Sequence, residues 1–305
     1  MNFPDSYRLD VGMDEQIRKA GVLIEALPYL QQFRGQIFLI KLGGSAMDDP
    51  NLVRDLLRDV VFLEAVGINP VLVHGGGKAI SAAMAETGQK ARFISGLRVT
   101  DSSSIEIVEK TLSQVINPRL VKGLVAAGGK ALGIPGSKVF LGEKLDATDA
   151  DTGQPADLGF VGRVTDFNLD AVHQALYEEV TPVLSPIAKQ VGTGQTLNVN
   201  ADLAASALGA KLQASKIIYL SDVLGVMADP SDESTLIPSL NRKAVTQLIK
   251  QEVISGGMIP KVRSALEALD AGVGKVHMID GRIPHSLLLE IFTEQGIGTE
   301  IVTQQ

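Results

Sequence analysis

The chain has no cysteine, which excludes disulfides and thiolate metal sites and fits a reducing compartment. It also lacks any block of lysine and arginine: 28 basic residues face 35 acidic ones, for a net charge of −7. That balance argues against a polyphosphate backbone as partner, although a few local cations can still hold one anionic metabolite. No window of about 18 apolar residues occurs, so no segment is expected to span a membrane. The first residues, MNFPDSYRLDVGMDEQ, lack the basic start and apolar run of a signal peptide. The expectation is a cytoplasmic protein with neither nucleic acid nor membrane as partner.

Two familiar nucleotide signatures are missing as well. The stretch VLVHGGGKAI (71–80) offers three glycines and a lysine after an apolar run. A Walker A loop needs a glycine five positions before its Gly-Lys pair and a Ser or Thr after it. Leu72 and Ala79 occupy those places. The dinucleotide pattern G-x-G-x-x-G fails too, because Ile80 stands where the third glycine belongs, and this counts against a nicotinamide oxidoreductase. What remains is strand, glycine turn and alanine-rich helix. A helix start, with unpaired N–H groups and partial positive charge, suits an anion, although a tight turn without ligand would read the same way.

Across 305 residues, 45% hydrophobic and 21% charged, the composition is that of a globular chain of two domains or one large α/β unit. Buried-strand and helix patterns alternate: strand 36–42, helix 51–66, strand 70–73, helix from 79, and a long helical stretch over 102–126. From 130 to 164 the runs KALGI, KVFLG and GFVGRV, broken by Gly, Asp and Thr, predict antiparallel strands and turns. Alternation then resumes, with helix 168–179, strand 182–186, helix 200–212 and strand 216–222. Helices 242–251 and 257–271, strand 275–279, helix 284–292 and strand 299–302 complete it. Helices between buried strands imply a mostly parallel sheet covered on both faces, with ligands beyond the carboxyl ends of the strands. Residues 13–30 form a separate helix whose Ile17, Val22, Ile24 and Leu27 need cover, from this chain or from another.

Several loops ask for the same kind of ligand. Lys41 ends a buried strand just before Gly43-Gly44-Ser45, and a lysine there is costly unless an anion pairs with it. Ser221-Asp222-Val223-Leu224-Gly225 also follows a strand. Gly256-Gly257 opens a helix with Lys261 in its first turn, where a cation opposes the dipole unless an anion is shared. Arg98, in GLRVTD, presents a fork suited to a carboxylate. Asn198, Asn200 and Asp202 alternate along an extended segment, so they share one face; helix capping accounts for Asn200 alone.

Together KLGG, HGGG, GLRVTD, NVNAD, SDVLG and SGGMIPK, in this order, resemble the acetylglutamate kinases of the amino-acid kinase family, from about residue 36 to the C-terminus. The resemblance implies an α/β fold: a three-layer αβα sandwich with an open, mostly parallel sheet of about eight strands. It divides the chain into a regulatory or oligomerising extension (1–30), an acyl-amino-acid lobe (31–190) and an ATP lobe (191–305). It implies transfer of the γ-phosphoryl group of ATP, with Mg2+, to the side-chain carboxylate of N-acetyl-L-glutamate in arginine synthesis. By motif, Lys41 and Lys261 flank the transferred group and Asp202 positions both. Gly44, Gly76 and Gly77 offer backbone N–H groups, and Arg98 with Asn198 holds the acceptor. Asp222, Val223, Gly225, Ser255 and Gly257 line the nucleotide side. No direct protein ligand to the metal is implied, since magnesium travels on ATP.

The chemistry agrees on its own terms. A carboxylate acceptor with a pKa near ~4.3 is already ionised at neutral pH, so no general base is required and the sequence offers no convincing one. His74 reads better as a holder of the glycine loop, and His173, His277 and His285 lack metal-ligand spacing. The family usually has Pro after HGGG and Asn at the position of Ser81; here Lys78 and Ser81 stand there. That puts acceptor length in question and leaves acetylaminoadipate, one methylene longer, as the nearest alternative. The helix 13–30 and the segment HMIDGRIPHSLLLEIFTEQGIGTE resemble arginine-inhibited members, in which the helix links dimers into a hexamer. By that resemblance His277, Glu290 and Gly296 contact the effector arginine. Nothing in these residues establishes control by a PII-type signalling protein. A non-catalytic nucleotide or arginine sensor would be expected to lack Lys41, Lys261 or Asp202, and all three are present.

Overall fold

The computed structural model describes residues 10–148 and 154–303. Eight strands form the central sheet: β1 (Ile37–Leu42), β2 (Asn69–His74), β3 (Ala131–Ile134), β4 (Thr181–Leu184), β5 (Lys216–Ser221), β6 (Ser239–Asn241), β7 (Lys275–Asp280) and β8 (Thr299–Val302). Their order is β6-β8-β7-β5-β1-β2-β4-β3. Every neighbouring pair is parallel except β7 with β8. This is the open, mostly parallel sheet expected. Side chains of β1, β2 and β5 are buried on both faces, as helices on both sides require. Two apolar cores result, one on each face: Leu39, Val71, Ile217 and Tyr219 belong to one, Phe38, Ile40, Leu72 and Ile218 to the other.

β1 is the switch point. The chain builds outward from it first through β2 and later, on its other side, through β5, so a crevice opens at the carboxyl ends of these three strands. Lys41 lies level with Val73 and Tyr219, and Leu42 with His74 and Leu220. The loops after all three strands therefore leave the sheet side by side.

One stretch differs from the sequence reading. Ala131–Ile134 is not part of an antiparallel set but runs parallel to β4 at the sheet edge. The helical passage 105–126 supplies the crossover that a parallel strand needs. The other strands of this region pair antiparallel as expected, Phe140–Lys144 with Val161–Phe167 and Ala147–Thr148 with Pro155–Ala156. With Ile187–Gln190 and Thr196–Val199 the first of these pairs closes a small four-stranded barrel. Within 105–126 the helix widens to π form over Lys110–Ile116, and the Asn117 N–H reaches back to Leu112 O. Pro118 follows, with no N–H of its own and a ring that crowds the preceding turn.

The helix Asp10–Phe33 is anchored only at its end. Phe33 is buried edge-on against Phe38 at 5.3 Å, while Ile17, Val22, Leu23 and Ile24 stay 56–68% exposed. Among the described residues, those side chains find no cover. No described helix is long and apolar enough to cross a membrane.

Candidate functional site

Three charges meet in the crevice. Asp202 lies in the first turn of the helix Ala201–Lys211, whose start is fixed by the Asn200 carboxamide accepting from the N–H groups of Asp202 and Leu203. Lys41 Nζ approaches Asp202 Oδ1 at 2.8 Å, off the line of a well-directed hydrogen bond. Lys261, from the first turn of the helix Met258–Asp270, donates to Oδ2 at 2.7 Å. Burial alone would raise the Asp202 pKa, but the two ammonium groups outweigh it and hold the carboxyl at about 2. Burial is also the chief influence on Lys41 and lowers its pKa; Asp202 works against that shift and Lys261 adds to it. Two cations on separate oxygens of one carboxylate form a rigid positive wall with donor capacity to spare.

The glycine loops press close to these charges. A Cβ at Gly43 would collide with Lys41 Nζ. Gly44 combines φ +72° with an approach in which a Cβ would sit 3.0 Å from Asp222 N, so only glycine fits there. Gly76 and Gly77 open the helix Gly77–Glu86, the end at which N–H groups lack partners inside the helix. A side chain at Gly76 would strike Leu112 and Ile116 of the π segment.

His74 is fully buried, and burial lowers its pKa to about 4. Its Nδ1–H donates to Gly75 O at 2.9 Å, which leaves Nε2 to accept from Asn117 Nδ2 at 3.4 Å. A neutral ring with both nitrogens engaged is a strut for the loop, and it is poorly suited to proton transfer.

Arg98 is buried. It donates to Gly77 O at 2.7 Å and Ser81 Oγ at 2.9 Å, and it stacks 4.7 Å from the Phe93 ring centroid. Among the described residues no carboxylate pairs with it, and burial pushes its pKa down. A desolvated guanidinium without a counter-ion favours an incoming carboxylate. Asn198 donates to Thr100 Oγ1 at 3.0 Å, and Thr100 Oγ1 in turn donates to Arg98 O at 2.9 Å, so both acceptor candidates share one wall. Ser81 donates to Gly77 O at 3.0 Å and so completes the cradle of Arg98. Lys78, 74% exposed, pairs with Asp48 at 2.7 Å. It faces the rim and takes no part in the triad.

Asp222, Ser255 and Gly257 are exposed, and Val223 is half-buried. Gly225 is buried against Thr299 and Leu236; its small size is a packing requirement. Among the described residues no group of three His, Asp or Glu side chains is arranged to hold a metal.

A second polar cluster lies at β7. His277 Nδ1 and Glu290 Oε1 are 2.6 Å apart, and Glu290 Oε2 accepts from the N–H groups of Ile297 and Gly298. Gly296, at φ +62°, passes so near that a Cβ would touch the Glu290 carboxylate. Sequence reading missed Lys216. Its Nζ lies 3.1 Å from His277 Nε2 and 5.1 Å from the Phe33 ring centroid, which ties the cluster to the N-terminal helix. Burial, with Lys275 adding to it, brings Lys216 down to about 8. A lysine opening a buried strand was the only sign of it.

The family model described as "Amino acid kinase family" matches residues 36–280. A protein of Akkermansia muciniphila named acetylglutamate kinase is 56% identical over 297 residues, covering 97% of this chain and 100% of the relative. One of Aquifex aeolicus with the same name is 46% identical, covering 96% and 100%. Among solved structures, N-acetylglutamate synthase from Neisseria gonorrhoeae, complexed with coenzyme A and N-acetyl-glutamate, superposes with a TM-score of 0.82 at 24% identity. That match covers 94% of this chain but 64% of the synthase, so at this identity it speaks for the fold alone.

Proposed function

The chain belongs to the amino acid kinase family and is a phosphotransferase, and from that premise we propose that it moves the γ-phosphoryl group of ATP to the side-chain carboxylate of N-acetyl-L-glutamate, in arginine synthesis. The observation that carries this reading is the Lys41–Asp202–Lys261 triad. Acceptor and nucleotide are both anions, and their repulsion is the main obstacle. Two ammonium groups beside the reacting oxygens relieve it and stabilise the charge spread over the moving phosphoryl group. Asp202 keeps both cations in place. The loops at Gly44, Gly76 and Gly77 add N–H groups, and Arg98 with Asn198 orients the acceptor. Residues 31–190 then form the acceptor side. Residues 191–305 form the nucleotide side, with Asp222, Val223, Gly225, Ser255 and Gly257 near the base and phosphates.

Both Asp202 oxygens face lysines, so the carboxylate is poorly placed to bind a metal, and magnesium fits here as a passenger on the ATP phosphates. When bound it neutralises phosphate charge alongside the lysines. We place the enzyme in the cytoplasm, where ATP is available.

A panel of acceptors with ATP and magnesium tests the substrate: acetylglutamate, acetylaminoadipate, glutamate, aspartate and carbamate. The altered rim at Lys78 and Ser81 makes acetylaminoadipate the alternative to beat, since one methylene is worth only ~1–3 kcal/mol. Acetylglutamate is expected to lead, and equal or better turnover of any other acceptor overturns the assignment. Arg98→Ala should raise the half-saturating acetylglutamate concentration roughly 10- to 100-fold, the worth of a lost charge-assisted contact. Unchanged saturation in that variant would remove Arg98 from the acceptor site.

We further propose that arginine is an inhibitor, bound where His277, Glu290 and Gly296 gather beside the N-terminal helix, and that residues 1–30 join copies of the chain into a dimer-based hexamer. The unpartnered Ile17, Val22, Leu23 and Ile24 support the second part. Arginine should raise the half-saturating acetylglutamate concentration, and deletion of residues 1–30 should abolish that response. A full-length enzyme indifferent to arginine contradicts the assignment.

A further inference from the structure

Directly beneath the triad lies a second triangle made of hydroxyl groups. Ser206 sits one turn after Asp202 on the helix Ala201–Lys211. Ser264 sits in the turn after Lys261 on the helix Met258–Asp270. Tyr219, fully buried on β5, is level with Lys41 in the adjoining strand. Ser206 Oγ hydrogen-bonds both Tyr219 Oη and Ser264 Oγ, and the last two are 3.3 Å apart. Each of the three elements that carry or flank a charge of the triad therefore contributes one hydroxyl.

The protons have places to go. With Ser206 donating to Ser264 O at 3.1 Å, Tyr219 and Ser264 donate to Ser206 Oγ, and the backbone carbonyl of Asp202, 3.4 Å from both Tyr219 Oη and Ser264 Oγ, is their alternative acceptor. The two helices pack against each other, and Ala204, Ala205, Ala265 and Ala268 are small, buried side chains they carry. Such residues allow close approach but interlock little, so directed hydrogen bonds are what fix the sliding of one helix along the other. Lys261 rides on one of these helices and Asp202 on the other.

We propose that Tyr219, Ser206 and Ser264 are positioning residues for phosphoryl transfer, which lock the two helices in the register that places Lys261 and Lys41 on the two oxygens of Asp202. The inference rests on the kinase reading above. It concerns three buried residues that act through the charges of the triad.

The test uses the full chain with Tyr219→Phe, which keeps the ring, and Ser206→Ala as a second variant. Each should lower kcat roughly 10-fold, because small displacements of reacting groups cost rate steeply, with KM for ATP and acetylglutamate within about twofold. In a Lys261→Ala background Tyr219→Phe should cost clearly less than in the unaltered chain, because one of the two groups it positions is gone. A readout independent of turnover is acylation of lysines by acetic anhydride, read by mass spectrometry. Lys261 should label several-fold faster in both variants than in the unaltered chain, with exposed Lys250 as internal reference. Unchanged Lys261 labelling, or an undiminished effect of Tyr219→Phe in the Lys261→Ala background, overturns the proposal. An unaltered chain that does not phosphorylate acetylglutamate overturns the kinase reading instead, and labelling still decides the positioning role.

Discussion

Replacing Lys261 by alanine lowers kcat on the order of 10²-fold or more, and Lys41→Ala does the same, by analogy with removal of a donor that meets developing charge. The reason is the division of labour on Asp202. Each lysine holds its own oxygen, at 2.8 and 2.7 Å, so neither can take over the other's place. The variants should differ in stability. Lys41 is almost wholly buried, with 8% of its side chain exposed against 21% for Lys261. Its removal leaves a cavity and a less compensated Asp202 deep in the crevice, whereas Lys261→Ala trims a more accessible contact. Steady-state turnover with saturating ATP and acetylglutamate checks the first expectation, and denaturant midpoints check the second. Near-normal turnover in either variant removes that lysine from the reaction.

Asp202→Asn should be the most damaging single change. It takes away the one anion between two ammonium groups, and breaking a buried ion pair from one side costs about 3–5 kcal/mol. Burial already lowers the Lys41 pKa, and Asp202 is the largest influence opposing that shift. Without the carboxylate, Lys41 loses its proton at a lower pH. A deprotonated lysine carries no charge to offer the phosphoryl group, so residual activity should fall away at a lower pH than in the unaltered enzyme. The stability gap has its own pH signature. The Asp202 pKa lies at about 2 in the folded chain against a reference of 3.8, so its contribution is complete above about pH 4 and is lost as the pH falls towards 2. The difference between the unaltered chain and the Asp202→Asn variant should therefore be flat from neutral pH to about 4 and shrink below that. Equal stabilities at pH 7, or an unmoved alkaline limb, would contradict this account of Asp202.

Much of the scaffold could be read from the sequence because each feature had a local cause. Buried strands with Gly-rich exits, an Asn cap before Asp202 and a glycine pair before Lys261 all leave marks within a few residues. The gathering of Lys41, Asp202 and Lys261 was implied by the resemblance of the motif set to the acetylglutamate kinases, since none of these marks alone brings the three together. Other features depend on contacts distant in sequence. The barrel strands Ile187–Gln190 and Thr196–Val199 are four residues each, too short for a periodic signal. β3 departs from the antiparallel expectation because KALGI, taken alone, says nothing about the direction of its neighbour. Ser206, Tyr219 and Ser264 look like ordinary core residues until three elements converge. Lys216 becomes legible only when Phe33 and His277 are seen on either side of it.

The account stands most directly on the product. With ATP, magnesium, acetylglutamate and hydroxylamine present together, an acyl phosphate is trapped as its hydroxamate. The account predicts one hydroxamate formed for each ADP released, with both lost together in Lys261→Ala. ADP release without hydroxamate, or hydroxamate formation that survives loss of Lys261, would contradict it.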